Sequence, residues 1–150
     1  MVLETGAPVP EVTATTQAGD RVTVEFSEPT VLYFYPHGTP GCATQARQFD
    51  AELDGYRAAG VSVYGVSAND ARTHQSFADE HDLGFDLLAD PDERVAAAFG
   101  VESHDGQFER TTFVCARGQV CGLYEGVRPD GHARRVLEDA VDVGLVSLDG

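Results

Sequence analysis

VLYFYPHGTPGCATQARQF, residues 31–49, holds the pattern from which the rest of the fold follows. Residues 31–35 are an unbroken apolar, aromatic and β-branched run closed by Pro36, the signature of a strand covered on both faces of an α/β sheet. Thr39 precedes Pro40 and Gly41, so a hydroxyl cap followed by proline predicts a helix start there, with Cys42 in the first turn. Cys42, Ala46, Phe49, Leu53 and Tyr56 then step by four, three, four and three, one buried stripe on a helix that Gly60 stops. A helix N-terminus offers unpaired N–H groups and the positive end of the macrodipole, which favour an anion, and the thiolate is the reactive form of cysteine. The placement makes Cys42 the candidate reactive centre.

Working outward, alternating segments at residues 12–15 and 21–26 flank Gly19-Asp20 and predict an N-terminal hairpin. Downstream, residues 61–66 read as a buried strand. Ser67 to Asp70 supply caps for a helix with Ala71, His74, Phe77, Ala78 and His81 on one stripe, ended by Gly84. Residues 85–90 give a further strand, and Asp90-Pro91 caps a short helix facing inward through Val95, Ala98 and Phe99. Residues 110–115 and 119–127 form two strands around Arg117-Gly118, and a last helix over 132–143 puts Ala133, Val136, Leu137, Ala140 and Val141 on one side. The expected architecture is α/β: a mixed central sheet with helices on both faces and an N-terminal hairpin. At 150 residues and 42% hydrophobic content, one domain spanning 1–150 is expected.

Twenty-five acidic residues stand against ten basic ones, a net charge of -15, and every basic residue is arginine. A surface of that sign repels nucleic acid and anionic membrane, which excludes both as partners. It also repels itself at low salt, so the composition suits a halophile's salt-rich cytoplasm. No run reaches the apolar length of a membrane span, and the N-terminus has no secretory pattern, so a soluble, cytoplasmic protein is expected. Three cysteines, Cys42, Cys115 and Cys121, leave at least one thiol unpaired, as in a reducing compartment. His74 and His81 lie seven apart with no third ligand nearby, which argues against a metal site. His37 reads as a solvated loop residue.

Three ordered stretches resemble the peroxiredoxins, and within them the bacterioferritin-comigratory or Q-type group. These are YFYPHGTPGCATQARQF, then GVSANDARTHQSFADEHDLGFDLLADPDERVAAAFGV at residues 65–101, then ERTTFVCARGQV. The resemblance implies a thioredoxin-like fold and reduction of hydrogen peroxide or organic hydroperoxides without metal, haem or flavin. It implies Cys42 as the peroxidatic cysteine and places the Thr39 hydroxyl and the Arg110 guanidinium beside it, with Pro36 in a supporting place. Preorganised donors of that kind stabilise the charge that builds on the departing oxygen.

Two departures qualify the match. Only His37 and Gly38 separate Pro36 from Thr39, where the group has three residues, so the wall over the peroxide is altered. Arg47 stands five residues after Cys42, where many members carry a resolving cysteine, and the helix around Phe77 has none. A one-cysteine mechanism with an external thiol or thioredoxin-like reductant is therefore expected, with resolution by Cys115 or Cys121 as the weaker alternative. Those two lie opposite each other if the hairpin loop is residues 117–119, and on opposite faces if it is Arg117-Gly118 alone. A monomer is expected, with a dimer as the alternative. A peroxide sensor or holdase would use the same sulfenic acid, whereas a disulfide oxidoreductase is disfavoured because no C-x-x-C surrounds Cys42.

Overall fold

The computed structural model describes residues 2–142. Seven strands form one mixed sheet: β1 (Val12–Thr16), β2 (Arg21–Val24), β3 (Thr30–Phe34), β4 (Ser62–Ser67), β5 (Asp86–Ala89), β8 (Thr111–Ala116) and β9 (Gln119–Glu125). Their order across the sheet is β2-β1-β5-β4-β3-β8-β9. Five helices accompany them: α1 (Cys42–Ala51), α2 (Leu53–Ala58), α3 (Ala71–His81), α4 (Arg94–Phe99) and α5 (His132–Asp142). A small hairpin, β6 (Ser103–His104) with β7 (Gln107–Phe108), stands apart as a second sheet. The N-terminal hairpin, the mixed sheet and the thioredoxin-like α/β layering are those expected.

β3 is central, as its composition requires: all five residues are buried. It runs parallel to β4 and antiparallel to β8. The β8 register sets Phe34 opposite Thr111 and Thr30 opposite Cys115. One step beyond Phe34 and one before Thr111, the chain leaves the sheet with Arg110 next to the turn that leads to Cys42. The register of two strands, rather than any local motif, thus assembles the site.

Side chains alternate across β3, so the sheet divides the core in two. Val31, Tyr33 and Tyr35 face a cluster with Cys42, Ala46, Phe49, Leu53, Tyr56, Phe77, Ala78, Ala133 and Val136, from α1, α2, α3 and α5. Leu32 and Phe34 face the other, built with Val95, Ala96 and Phe99 of α4, Phe113, Cys115 and Val120. Tyr33 stacks on Phe49 at 4.5 Å between centroids. A contact of this kind adds about 0.5–1.5 kcal/mol beyond area burial.

Several boundaries differ from those read in the sequence. The helix after Cys42 breaks at Glu52 (φ -94°, ψ 2°) into α1 and α2, although Leu53 and Tyr56 stay buried. Thr39 does not cap it: Gly41 holds that position at φ 94°, and α1 begins at Cys42 itself. The helix α3 stops at Asp82, which adopts the left-handed conformation (φ 52°), rather than at Gly84, whose N–H bonds Asp50 Oδ1 at 2.7 Å. Asp90 does stabilise the start of α4, through bonds from the Val95 and Ala96 amides at 3.0 Å each, but the cap residue is Glu93. Ala96, not Ala98, faces inward. The β6–β7 hairpin, two residues a side, has too short a pattern to be read from sequence. The end of the predicted last helix, Val143, lies outside the described residues.

Candidate active site

Cys42 is the first residue of α1, at the C-terminal end of β3, and is 5% exposed. The turn before it is built by two left-handed glycines, Gly38 (φ 79°) and Gly41 (φ 94°). At Gly41 the conformation and the space both demand glycine. A Cβ there would lie 2.8 Å from Pro129 Cγ and 3.3 Å from Arg110 Nη2.

Arg110 spans the helix start. Its Nη2 donates to Thr39 Oγ1 (3.2 Å) and to the Pro40 carbonyl (2.9 Å), and its Nη1 donates to Gln45 Oε1 at 2.7 Å. The partners lie before and after Cys42, so the guanidinium brackets it. The planar fork of arginine allows this grip, which an ammonium could not reproduce. Burial lowers the Arg110 pKa, and negative charge at Cys42 acts in the opposite sense, holding the cation in place. Gln45, almost wholly buried, is a site residue that sequence reasoning missed; its place three residues after Cys42, on the same helix face, was the available signal.

Thr39 Oγ1 donates its single hydrogen to the Pro36 carbonyl at 2.6 Å while accepting from Arg110. The Thr39 hydroxyl must therefore rotate before it can donate to a substrate. Pro36 closes the strand and contributes that carbonyl. Beneath the site, the Tyr33 and Tyr35 hydroxyls are buried without hydrogen-bond partners. Burial raises both pKa values, and a charge on Cys42 raises them further. Both tyrosines therefore stay neutral beside a thiolate.

His37 is not a solvated loop residue. It is half-buried, edge-on to Phe77 at 5.0 Å and 6.2 Å from His74. Its ring packs onto α3. His74, wholly buried, meets Ser67 Oγ through Nε2 at 2.5 Å, and its pKa falls to about 4 because burial penalises the charged ring.

Neither remaining cysteine comes near Cys42. The hairpin loop is Arg117-Gly118 alone, both at positive φ, and a bulge sets Cys115 opposite Val120, with Cys121 the extra residue. Cys115 belongs to the other core face and pairs with Thr30, the far end of β3. Four strand steps of ~3.3 Å put it on the order of 13 Å along the sheet from the Cys42 end. A disulfide needs Cα atoms within ~7 Å. Burial also pushes the Cys115 thiol up to about 12. All three cysteines are free.

A cavity of about 540 Å³ lies between the end of β9 and the start of α5 and is lined by Arg128, Asp130, His132 and Arg135, among others. Cys42 does not line it, and a peroxide of few atoms needs no such volume. Among the described residues one group could hold a metal ion: Glu102, His104 and Glu109, all exposed, without His74 or His81. Among the described residues no helix is long and apolar enough to cross a membrane.

A thiol at a helix start, bracketed by a half-buried arginine on this sheet topology, defines a thiol-dependent peroxidase of thioredoxin-like fold. Comparison with known proteins agrees: residues 5–121 match the model of the AhpC/TSA family. A putative peroxiredoxin bcp of Coxiella burnetii is 33% identical over 148 residues, covering 91% of this chain and 98% of the relative. The crystal structure of peroxidoxin BcpB from Mycobacterium tuberculosis superposes with a TM-score of 0.87 at 28% identity, covering 94% of this chain and 98% of that one. A bacterioferritin comigratory protein of Xanthomonas campestris, studied for alkyl peroxide reduction, superposes with a TM-score of 0.83 at 31% identity, covering 94% and 97%. The chain belongs to the AhpC/TSA family, in its peroxiredoxin Bcp/Q group, and is a peroxiredoxin enzyme.

Proposed function

We propose that Cys42 reduces hydrogen peroxide and organic hydroperoxides by a one-cysteine cycle, as a single peroxiredoxin domain. The Cys42 thiolate attacks the terminal peroxide oxygen: an S–O bond forms, the O–O bond breaks, and the departing alkoxide or hydroxide takes up a proton. The sulfur is oxidised by two electrons to the sulfenic acid. Arg110 lies where negative charge moves from sulfur to the leaving oxygen, and Thr39, once its hydroxyl rotates, adds a donor. Pro36 holds Thr39 until then. An external thiol next attacks the sulfenic acid, releasing water and leaving a mixed disulfide. A second thiol reduces that disulfide and restores Cys42.

The observation that carries this reading is the bracket of Arg110 bonds on both sides of Cys42. The one-cysteine form is favoured by Arg47 at the local resolving position and by Cys115 on the opposite face of the sheet. A thioredoxin-like protein is the reductant we favour, acting on a monomer in a reducing cytoplasm. The acidic, lysine-free composition supports a salt-rich one. One equivalent of peroxide followed by non-reducing mass spectrometry tests the cycle. A single oxidised Cys42 and no internal bridge is expected, and a bridge from Cys42 to Cys115 or Cys121 overturns the one-cysteine form. Stopped-flow oxidation separates enzyme from sensor: oxidation no faster than that of free cysteine, or no turnover with added thiols, would favour a sensor or holdase. Cys42→Ser should abolish turnover.

A further inference from the structure

Cys42 is 5% exposed, so a small peroxide can reach its sulfur but the thiol of a protein reductant cannot approach in line. The turn at residues 36–41 must therefore open between oxidation and reduction, and whatever fastens it sets how readily it does. Two fastenings are visible. One is Arg110, already assigned to the chemistry. The other is His37, whose ring packs edge-on against Phe77 at 5.0 Å and against His74 at 6.2 Å, both on α3, and lies 6.2 Å from Tyr35. Gly38 follows at φ 79° with nothing within 4 Å of a Cβ built there, so the turn beyond the ring faces open space on that side.

The His37 and His74 rings each bury an Nδ1 with no partner. His74 Nε2 is engaged by Ser67, whose hydroxyl also points to Asn69 Oδ1 at 3.2 Å. Two imidazoles in one largely apolar nest are tolerable only while both are neutral, because a charge on either would be desolvated and would repel the other. The titratable groups facing the pair are few. Tyr35 packs against both rings from the end of β3, His81 sits beyond Phe77 on α3, and Asp70 caps that helix below His74. A charge on Cys42 acts on Tyr35. Asp70 is exposed and weakly opposes the shift of His74, while His37 reinforces it.

We propose that His37 is a positioning residue that latches the Cys42 turn onto α3, and that the His37–His74 contact releases the turn in acid. This regulation concerns the site under the reading given above, but the latch itself can be observed without any peroxidase assay. Both histidines are disfavoured as cations in the closed state, so the closed state is fully favoured above about pH 6.5. It loses ground as the pH falls toward the His74 value of about 4.

Hydrogen exchange over residues 37–45, followed by mass spectrometry on the full chain at pH 7.5 and pH 5, tests this. The wild type is expected to open about tenfold more readily at pH 5 once intrinsic exchange is corrected, and His37→Ala to open by a similar factor already at pH 7.5, the scale of one lost aromatic contact. His37→Phe keeps the ring but removes one of the two titrating groups and the repulsion between them, so it should stay protected at pH 7.5 and open clearly less than the wild type at pH 5. Single-turnover reduction of oxidised Cys42 by a small dithiol should follow the same ranking at pH 7.5, faster in His37→Ala and unchanged in His37→Phe. Unaltered exchange in His37→Ala overturns the latch. Acid opening as large in His37→Phe as in the wild type overturns the proton sensitivity assigned to the pair. Should peroxide oxidation of Cys42 prove slow while the exchange results hold, the function is wrong and the latch stands.

Discussion

Replacing Gly41 by alanine probes the site through its frame rather than its chemistry. A residue with a Cβ at φ 94° costs roughly 1–2 kcal/mol in backbone strain alone. The new methyl would lie 2.8 Å from Pro129 Cγ, on a ring that cannot swing aside, and 3.3 Å from Arg110 Nη2. Relief requires moving either the loop that carries Pro129 or the guanidinium, and such overpacking adds roughly 1–2 kcal/mol. The total of about 2–4 kcal/mol corresponds to a fall in Tm of roughly 4–16 °C for a domain of this size. Displacing Arg110 removes a donor from the transition state, a loss on the order of 100-fold in the rate of Cys42 oxidation. Gly38→Ala is the matched control, with comparable strain at φ 79° but no atom within 4 Å of the added carbon. Thermal melts and quenched-flow thiol counting with hydrogen peroxide compare the two. If Gly41→Ala behaves as Gly38→Ala does in both measurements, the contact between the helix start and Arg110 does not govern reactivity.

Arg110→Lys should slow peroxide oxidation about 10- to 100-fold, because an ammonium cannot serve Thr39, Pro40 and Gln45 together; a rate within twofold of wild type in the same assay would remove Arg110 from the chemistry. Cys115→Ala should leave that rate unchanged while costing about 1 kcal/mol for the lost sulfur volume, read from a denaturant melt, and a large rate loss would restore Cys115 as a resolving candidate. His74 and His132 both have pKa values lowered to about 4 by burial, so their contribution to stability is complete above about pH 6.5 and disappears as pH falls toward 4. For His74 the gap, at ~1.4 kcal/mol per pH unit, is about 3 kcal/mol; His74→Gln should flatten part of the acid limb of a Tm-against-pH curve. Melting at low and multimolar salt should show a higher Tm in salt, since the net charge of -15 is then screened, and equal midpoints would count against a halophilic adaptation.

The layers of this fold were legible because its central elements are local in pattern. Residues 31–35 and 61–66 carry runs that only buried strands accommodate, and the stripe from Cys42 to Tyr56 survives even the break at Glu52. Caps were less legible. Thr39-Pro40 has the composition of a helix start, but the hydroxyl is taken by the Pro36 carbonyl and by Arg110, so tertiary partners outbid the local motif. Asp82 stopped α3 two residues before the glycine that composition favours, because an aspartate tolerates the left-handed conformation well enough for a C-cap.

The site itself divides along the same line. Cys42 could be found from its own surroundings, since strand, turn and helix start are contiguous. Arg110 could not: it is 65 residues from Gln45 in sequence, and among ten arginines only the family resemblance of ERTTFVCARGQV, not composition or periodicity, marks it. Only the β3–β8 register, Phe34 against Thr111, brings it to the turn, and registers are written in cross-strand packing rather than in motifs. His37 was misread for the complementary reason. A histidine in a polar turn has the composition of a solvated residue, yet a turn one residue short cannot hold the ring away from α3, where Phe77 and His74 present an apolar face. Chain length in the turn, not residue type, decided its environment. The missing residue that put the substrate wall in doubt therefore also gives His37 its place, and a variant that lengthens the turn should free the ring before it disturbs the bonds that Arg110 makes to Thr39 and Pro40.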